Sequence, residues 1–346
     1  MTGPKPGQKT VLVTGYDDVH VTQHINHADT PPIVAVHPEA SAIAYVLSIT
    51  DKKCRLIDDH VLGLHVIATA RRPEVLAELA ELGMSTVALD VTDAESIKKC
   101  HDEVAKINGG KLDILVNNAA LYEVDDAQPK SDRGRTHTHP ALDISLPDVR
   151  ATFETNVFSI MAMVQAFIDQ LIAARGLIIN ISSLSSITPY LFGSVYCASK
   201  AAVSAYSRTL RLELAPFGVR VMVSMTGAVK SNTASQGHRI LPENSLYQRV
   251  KHIFEWRLVF SQNNSTMDTA TFSKRLVADS LRSERPAWLR SLFGRPDWFW
   301  YGGLARLAWY GHCLGEGVVD SVSWNKFRMP EIMKLIGEGP AQKKQK

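Results

Sequence analysis

The chain has 346 residues, 45% of them apolar and 21% charged, and carries a net charge of +3. That length suits one large α/β domain or two smaller ones, and so mild a charge, without an aromatic–basic module, excludes a dedicated nucleic-acid-binding surface. The four cysteines, at 54, 100, 197 and 313, are scattered and form no Cys-x-x-Cys pair, which points to reduced thiols in a cytoplasmic setting.

Residues Met1 to Lys9 are polar and lack the apolar core of a signal segment, and no run of eighteen apolar residues predicts a clean transmembrane helix. Thr10-Val-Leu-Val-Thr-Gly15 reads as a first buried strand ending in a tight turn. Residues 16–62 follow with Pro31, Pro32 and Pro38 and no sustained helical period before 40–49. Gly63 to Arg72 reads as a second strand with its exit turn, and 74–82 as a short amphipathic helix stopped by Gly83. A third strand is expected over Thr86 to Val91. A helix capped by Thr92 or Asp93 should run from Asp93 to Ile107. Leu112 to Val116 reads as the fourth strand and leads into Asn117-Asn118-Ala119-Ala120. Residues 121–140 are polar and aperiodic and read as a loop, long for a compact domain. An apolar helix, or two joined, is predicted over 147–172. A buried strand follows at Leu177-Ile-Ile-Asn-Ile181, then a helix over 196–214 ended by Pro216-Phe-Gly218, and a sixth strand over Val219 to Ser224.

Within this frame one stretch carries chemistry. Tyr196 and Lys200 are four apart and share one helix face. An ammonium beside a phenol favours the phenolate, which readies it to exchange a proton near neutral pH. Ser183 lies thirteen residues before Tyr196, just past a strand. A strand end beside a helix start is where open α/β sheets place their sites.

Asn-Ile-Ser-Ser at 180–183, the thirteen-residue spacing and Tyr-x-x-x-Lys together resemble the short-chain dehydrogenase/reductase family. Ala70-Arg-Arg-Pro, Arg211-Leu-Glu-Leu-Ala-Pro-Phe-Gly-Val-Arg220, Thr226-Gly-Ala-Val and Leu241-Pro-Glu-Asn-Ser-Leu-Tyr are similar to its fungal 1-acyldihydroxyacetone-phosphate reductase-like branch. The resemblance implies a doubly wound, Rossmann-like parallel sheet and reversible hydride transfer between NADPH and a carbonyl carbon. It implies Tyr196 as proton donor, Ser183 bonding the carbonyl oxygen, Lys200 supporting the tyrosine and the nicotinamide ribose, and Asn156 ordering a proton relay. For the cofactor it implies Thr14 and Gly15 at the first turn, Asp90 near the adenine, Asn117 beside the cofactor, and Val229 and Ser231 in the turn that cradles the nicotinamide. Arg71 and Arg72 close the second strand, where an acidic residue would select NAD, and favour NADP. The substrate expected is a lipid-like or secondary-metabolite ketone, and two copies would pair through 147–172 and 196–214.

The sequence departs from the family where it binds phosphate. No glycine follows Gly15 until Gly63, so the glycine-rich loop is missing. Residues 16–62 read as an insertion, as a metal site through His20, His24 and His27, or as a segment foreign to the fold. The abrupt return of family character at Gly63 favours the last, and Pro31 and Pro32 argue against the metal. The alternative to an enzyme is therefore an inactive protein that binds without turning over, or one associated with a membrane.

Residues 1–285 are expected to form the main domain, with 16–62 and 121–140 atypical, and 286–346 an amphipathic extension. Five of the six tryptophans lie at 288, 298, 300, 309 and 324 among arginines. Trp298-Phe-Trp-Tyr and Leu304-Ala-Arg-Leu-Ala-Trp-Tyr read as helices with an aromatic face. They suit either peripheral contact with an endoplasmic-reticulum or lipid-droplet membrane through 288–324, or a cap on the main domain or on a second subunit.

Overall fold

The computed structural model describes residues 4–5, 7–14, 64–81, 83–118, 138–229, 240–264, 267–286 and 295–337. Most of both atypical segments, with His20, His24 and His27, Gly15, Ala119–Ala120 and Ser231, lies outside the described residues. Among the described residues no group of histidine, cysteine and acidic side chains could hold a metal ion.

Seven parallel strands form one sheet in the order β3-β2-β1-β4-β5-β6-β7. They are β1 (Lys9–Val13), β2 (Leu64–Ala70), β3 (Ser85–Ala88), β4 (Ile114–Asn117), β5 (Leu177–Ile181), β6 (Arg220–Thr226) and β7 (Trp298–Tyr301). The strand order reverses between β1 and β4, which pair from Val11↔Ile114 to Val13↔Val116. Ligand crevices open at such a reversal, outside the carboxyl ends of the strands. The strands read as apolar runs because both faces are covered. Alternation along each strand divides the side chains between two cores. Val11, Val13, Ile179, Met222 and Phe272 pack on one face, and Leu12, Leu115, Ile178, Phe167 and Leu171 on the other. Each such leucine or phenylalanine contributes about 1.5–3 kcal/mol by leaving water.

The described helices are α1 (Ala77–Glu81), α2 (Ala94–Asn108), α3 (Leu146–Phe153), α4 (Ser159–Ala174), α5 (Ser194–Leu214), α6 (Lys251–Asn263), α7 (Thr269–Ser280), α8 (Ala305–Leu314), α9 (Glu316–Lys326) and α10 (Met329–Gly337). Asp93 caps α2 by accepting from the Glu95 N–H at 3.1 Å, and Gly109 ends it in the left-handed conformation at φ 65°. The predicted 147–172 helix is two helices joined through a π-helical turn at Glu154–Phe158, with Asn156 inside it. The stretch 146–174 is long and apolar enough to cross a bilayer. Here Met163, Phe167 and Leu171 bury its inner face in the second core.

The tail differs from expectation in one element. Trp298-Phe-Trp-Tyr is a strand, not a helix: it pairs with β6 from Val223↔Trp298 to Thr226↔Tyr301. Four consecutive aromatics favour strand where sheet pairing is on offer. The sheet thus takes its last strand from beyond residue 285. Arg211 ties the join, donating from Nε to the Val221 carbonyl and from Nη2 to the Asp297 carbonyl, both at 2.9 Å. Arg220 bonds Asp297 Oδ1 at 2.9 Å.

Past the strand ends two turns lie backbone against backbone. Gly227 N–H donates to the Tyr301 carbonyl at 2.8 Å, and Ala228 and Gly303 exchange both N–H···O bonds at 2.9 Å. A Cβ on Gly302, which also has φ 107°, would stand 2.8 Å from the Gly227 nitrogen, and one on Gly227 would collide with the Gly303 carbonyl oxygen. Gly302→Ala should therefore lower unfolding free energy by about 1–3 kcal/mol. An unchanged urea midpoint would show that the two turns are not in this contact.

His65 sits inside β2, buried, with Nε2 2.9 Å from Ser85 Oγ on β3. Burial lowers its pKa below 6.5. The unfolded ring, titrating near 6.5, then binds protons that the folded ring refuses. Stability should be level above that pH and should fall as pH drops through it. His65→Gln, which keeps a partner for Ser85, should flatten this acid-side decline in urea midpoints measured from pH 8 to pH 5; an equally steep decline would assign it to other groups.

Candidate active site

Three elements converge at the carboxyl end of β5. The strand delivers Ser182 and Ser183. Helix α5 starts at Ser194 and projects Tyr196 and Lys200 from one face, and the π turn brings Asn156 beneath them. Ser183 is extended, at φ −152° and ψ 158°, and its Oγ accepts from the Ser185 N–H at 3.2 Å. Lys200 is buried; its Nζ donates to the Ile181 carbonyl at 2.9 Å and lies 5.9 Å from the centre of the Tyr196 ring. Burying an ammonium is costly unless its donors are used, and the strand-end carbonyl supplies one acceptor.

Polar side chains lock this arrangement from behind. Asn156, fully buried, donates from Nδ2 to Ser199 Oγ at 3.1 Å, and Ser199 Oγ donates to the Tyr196 carbonyl at 2.8 Å. Asn156 Oδ1 is buried without a hydrogen-bond partner among the described residues. Ser182 Oγ donates to the Lys200 carbonyl at 3.0 Å and lies 2.8 Å from Ser204 Oγ. Asn117 Nδ2 bonds Asn180 Oδ1, and Asn180 Nδ2 bonds Ser207 Oγ, both at 2.9 Å, so β4, β5 and α5 are stitched in series. Ser199, Ser204 and Ser207 carry no sequence signal of their own, since a serine mid-helix reads as neutral.

The residues predicted to hold the cofactor line the adjoining strand ends. Thr14 follows β1; its Oγ1 lies 3.3 Å from the Val116 carbonyl and accepts from the Asn118 N–H at 3.1 Å. Arg71 and Arg72 follow β2, half-buried and exposed. Asp90 lies two residues past β3, a shorter strand than expected, and its Oδ1 accepts from the Thr92 N–H and hydroxyl at 2.8 and 2.7 Å. Asn117 closes β4. Val229 is buried and bridges to Met267. Ser183, Tyr196 and Val229 border one cavity of about 390 Å³; Lys200 and Asn156 are buried and do not line it.

The far wall of that cavity comes from α6, α8 and α9, with Leu304, Leu307, Leu314 and Val318 forming an apolar side. The tail therefore packs over the site, as the cap reading expects. Arg257 on α6, which sequence reading passed over, also borders the cavity although it is only 1% exposed. Its guanidinium stacks 3.3 Å from the Tyr190 ring centre, a contact worth about 2 kcal/mol when desolvated. Its charge also reaches Cys197, partly offsetting the upward push that burial gives that thiol's pKa. The only sequence signal was its place between Trp256 and Phe260.

A family model described as short chain dehydrogenase matches residues 60–239. The chain is 36% identical over 272 residues to the short-chain dehydrogenase fogD of Aspergillus ruber, covering 78% of this chain and 86% of that one. It is 34% identical over 271 residues to an NADPH-dependent 1-acyldihydroxyacetone phosphate reductase of Schizosaccharomyces pombe, covering 76% and 82%. A short-chain dehydrogenase of Streptomyces avermitilis superposes with a TM-score of 0.65 at 25% identity, over 94% of this chain and 98% of its own. The sheet order, the strand-end serine beside a Tyr-x-x-x-Lys helix and these likenesses agree: the chain belongs to the short-chain dehydrogenase family of oxidoreductases.

Proposed function

We propose that the chain reduces a ketone to a secondary alcohol with NADPH, Tyr196 acting as the proton donor. The observation that carries this reading is that Ser183, from a strand end, and Tyr196, from a helix, border one cavity. NADPH, when bound, supplies the hydride. Thr14, Gly15, Arg71, Arg72, Asp90, Asn117, Val229 and Ser231 are the residues that would hold it, together with Lys200 at its ribose. The two guanidinium groups directly after β2, with no carboxylate between the strand and Pro73, suit a 2′-phosphate. The name of the Schizosaccharomyces pombe relative supports the same choice.

Ser183 Oγ already accepts from the Ser185 N–H, so its own hydrogen is available to a substrate carbonyl oxygen. As that oxygen gains charge, the Tyr196 hydroxyl passes it a proton. The buried Lys200 ammonium stabilises the phenolate left behind. Asn156 supports reprotonation: the π turn holds its amide beneath Tyr196, with Oδ1 as a buried acceptor for a relay. The apolar wall of Leu304, Leu307, Leu314 and Val318 suits a lipid-like or secondary-metabolite ketone. Exposed Phe158, Ile172 and Leu212 on α4, its preceding turn and α5 support pairing of two copies there.

Tyr196→Phe removes one hydroxyl and little volume. It should abolish NADPH-dependent ketone reduction while fluorescence titration shows NADPH binding nearly as in the wild type and NADH binding weaker in both. Full turnover by the variant would overturn this mechanism. A folded wild-type chain that binds no NADPH would instead support the binding-only alternative.

Peripheral contact between the cytoplasm and a membrane belongs to the same proposal, because Trp309, Tyr310 and Leu314 on α8 and Trp324 on α9 are exposed beside the cavity. Removing the tail would also remove β7, so point variants are the cleaner test. Trp309→Ser with Leu314→Ser should lower flotation of the full chain with phosphatidylcholine–phosphatidylserine liposomes severalfold. Equal flotation would reject α8 as the contact.

A further inference from the structure

We infer that Phe192 is a positioning residue for Tyr196: its ring, clamped by Tyr247 and Phe254, holds the turn that starts α5 and thereby fixes where the phenol stands. This deepens the reductase reading and rests on it for the role of the phenol.

Tyr196 is the third residue of α5, and the start of that helix is weakly made. Among the described residues no side chain caps it, and its first turn holds no acidic residue. Lys200, one turn further on, is secured by burial and by the Ile181 carbonyl. The first turn leans on the segment before it, because an uncapped helix end frays. Its opening hydrogen bond runs from the Cys197 N–H to the Gly193 carbonyl at 2.8 Å. Whatever fixes Gly193 therefore steadies the turn that carries Tyr196.

Phe192 does the fixing, and at a conformational cost. Tyr190–Gly193 is a turn closed by the Gly193 N–H donating to the Tyr190 carbonyl at 2.9 Å. Phe192, at its third position, is left-handed at φ 58°. Turns of this kind take glycine there, and a bulky aromatic is an outlier. Gly193, next in the chain, stands at φ −121°, so a shift of one residue would hand the left-handed position to glycine. The chain keeps the strained residue, and strain persists only where the surroundings over-determine it. Here they do. Phe192 is buried, and its ring centre lies 5.2 Å from Tyr247 and 5.6 Å from Phe254, edge to face in both pairs. Its carbonyl accepts from the His139 N–H at 2.6 Å, and the His139 ring stands edge-on to Phe254 at 6.1 Å.

Phe192, Tyr247 and Phe254 do not line the cavity, so the clamp acts on the reaction only through Tyr196. Phe254 nevertheless belongs to α6, which gives Leu258 and Phe260 to the cavity wall, and Leu258 packs against the clamp. The clamp joins the wall of the cavity to the helix that carries the proton donor.

The test follows NADPH oxidation by the full chain in single turnovers with 2-undecanone, together with amide hydrogen exchange. Phe192→Ala and, separately, Tyr247→Ala should lower the rate at saturating ketone about tenfold or more, while the ketone concentration giving half that rate and the NADPH dissociation constant move by less than about twofold. Exchange should quicken in the peptide 193–199 and stay as in the wild type in 203–213, further along the same helix. Tyr247→Phe keeps the ring and should match the wild type in each measurement. An unchanged rate in both alanine variants would overturn the inference and leave the reductase reading intact. So would a loss of rate with exchange quickened along all of α5, which marks general loosening. If Phe192→Ala failed to fold, the comparison of Tyr247→Ala with Tyr247→Phe would decide. A wild-type chain that reduced no ketone would sink the reductase reading by itself. Exchange would then still decide the clamp: quickening confined to 193–199 supports it, and unchanged protection overturns it.

Discussion

The site depends on a contact between two glycine turns. Gly227 follows the strand that ends beside Ser182 and Ser183, and Gly302–Gly303 follow the last strand of the sheet. With no side chains between them, their backbones approach to hydrogen-bonding distance and exchange main-chain bonds. Everything after Tyr301, including α8 and α9, is thereby anchored to the turn that leads to Val229. The cavity wall is consequently a continuation of the sheet rather than an appendage laid on it.

A second order of constraint is polar. A buried amide or hydroxyl without a partner costs about 1–3 kcal/mol, so the series from Asn117 through Asn180 to Ser207 fixes the register of α5 against β4 and β5 more sharply than apolar packing would. Ser182, bonded to the Lys200 carbonyl, and Ser199, bonded between Asn156 and the Tyr196 carbonyl, then set where the phenol stands. Preorganisation of this kind lowers the reorganisation needed when charge moves in the reaction.

The sheet was legible in the sequence because buried parallel strands are short apolar runs bounded by turn residues, and six of them stood out. The candidate site of Ser183, Tyr196 and Lys200 was legible because their spacing reflects a helical face and a strand end. The seventh strand was not: Trp298-Phe-Trp-Tyr alternates weakly, and its identity as a strand is set by the free edge of β6, which is tertiary information. Arg257 was missed for a related reason. Its meaning comes from Tyr190 and Phe327, residues 67 positions earlier and 70 later, and no local pattern encodes that meeting. The tail's sequence suits a membrane face and a cap alike, because an apolar face has the same sequence whether it meets lipid, substrate or protein.

The joining of β7 to β6 also bears on how the protein is made. Strand β6 leaves the ribosome roughly 70 residues ahead of its neighbour, which at 5–20 residues per second is about 4–14 seconds of synthesis. Throughout that interval Val221, Met222, Val223 and Met225 form an apolar edge with unused amide groups, the kind of surface on which nascent chains stick to one another. The segment that carries β7 is thus also the one that covers this edge of β6, so premature termination anywhere between the two strands would leave a product prone to aggregate as well as one without a finished cavity.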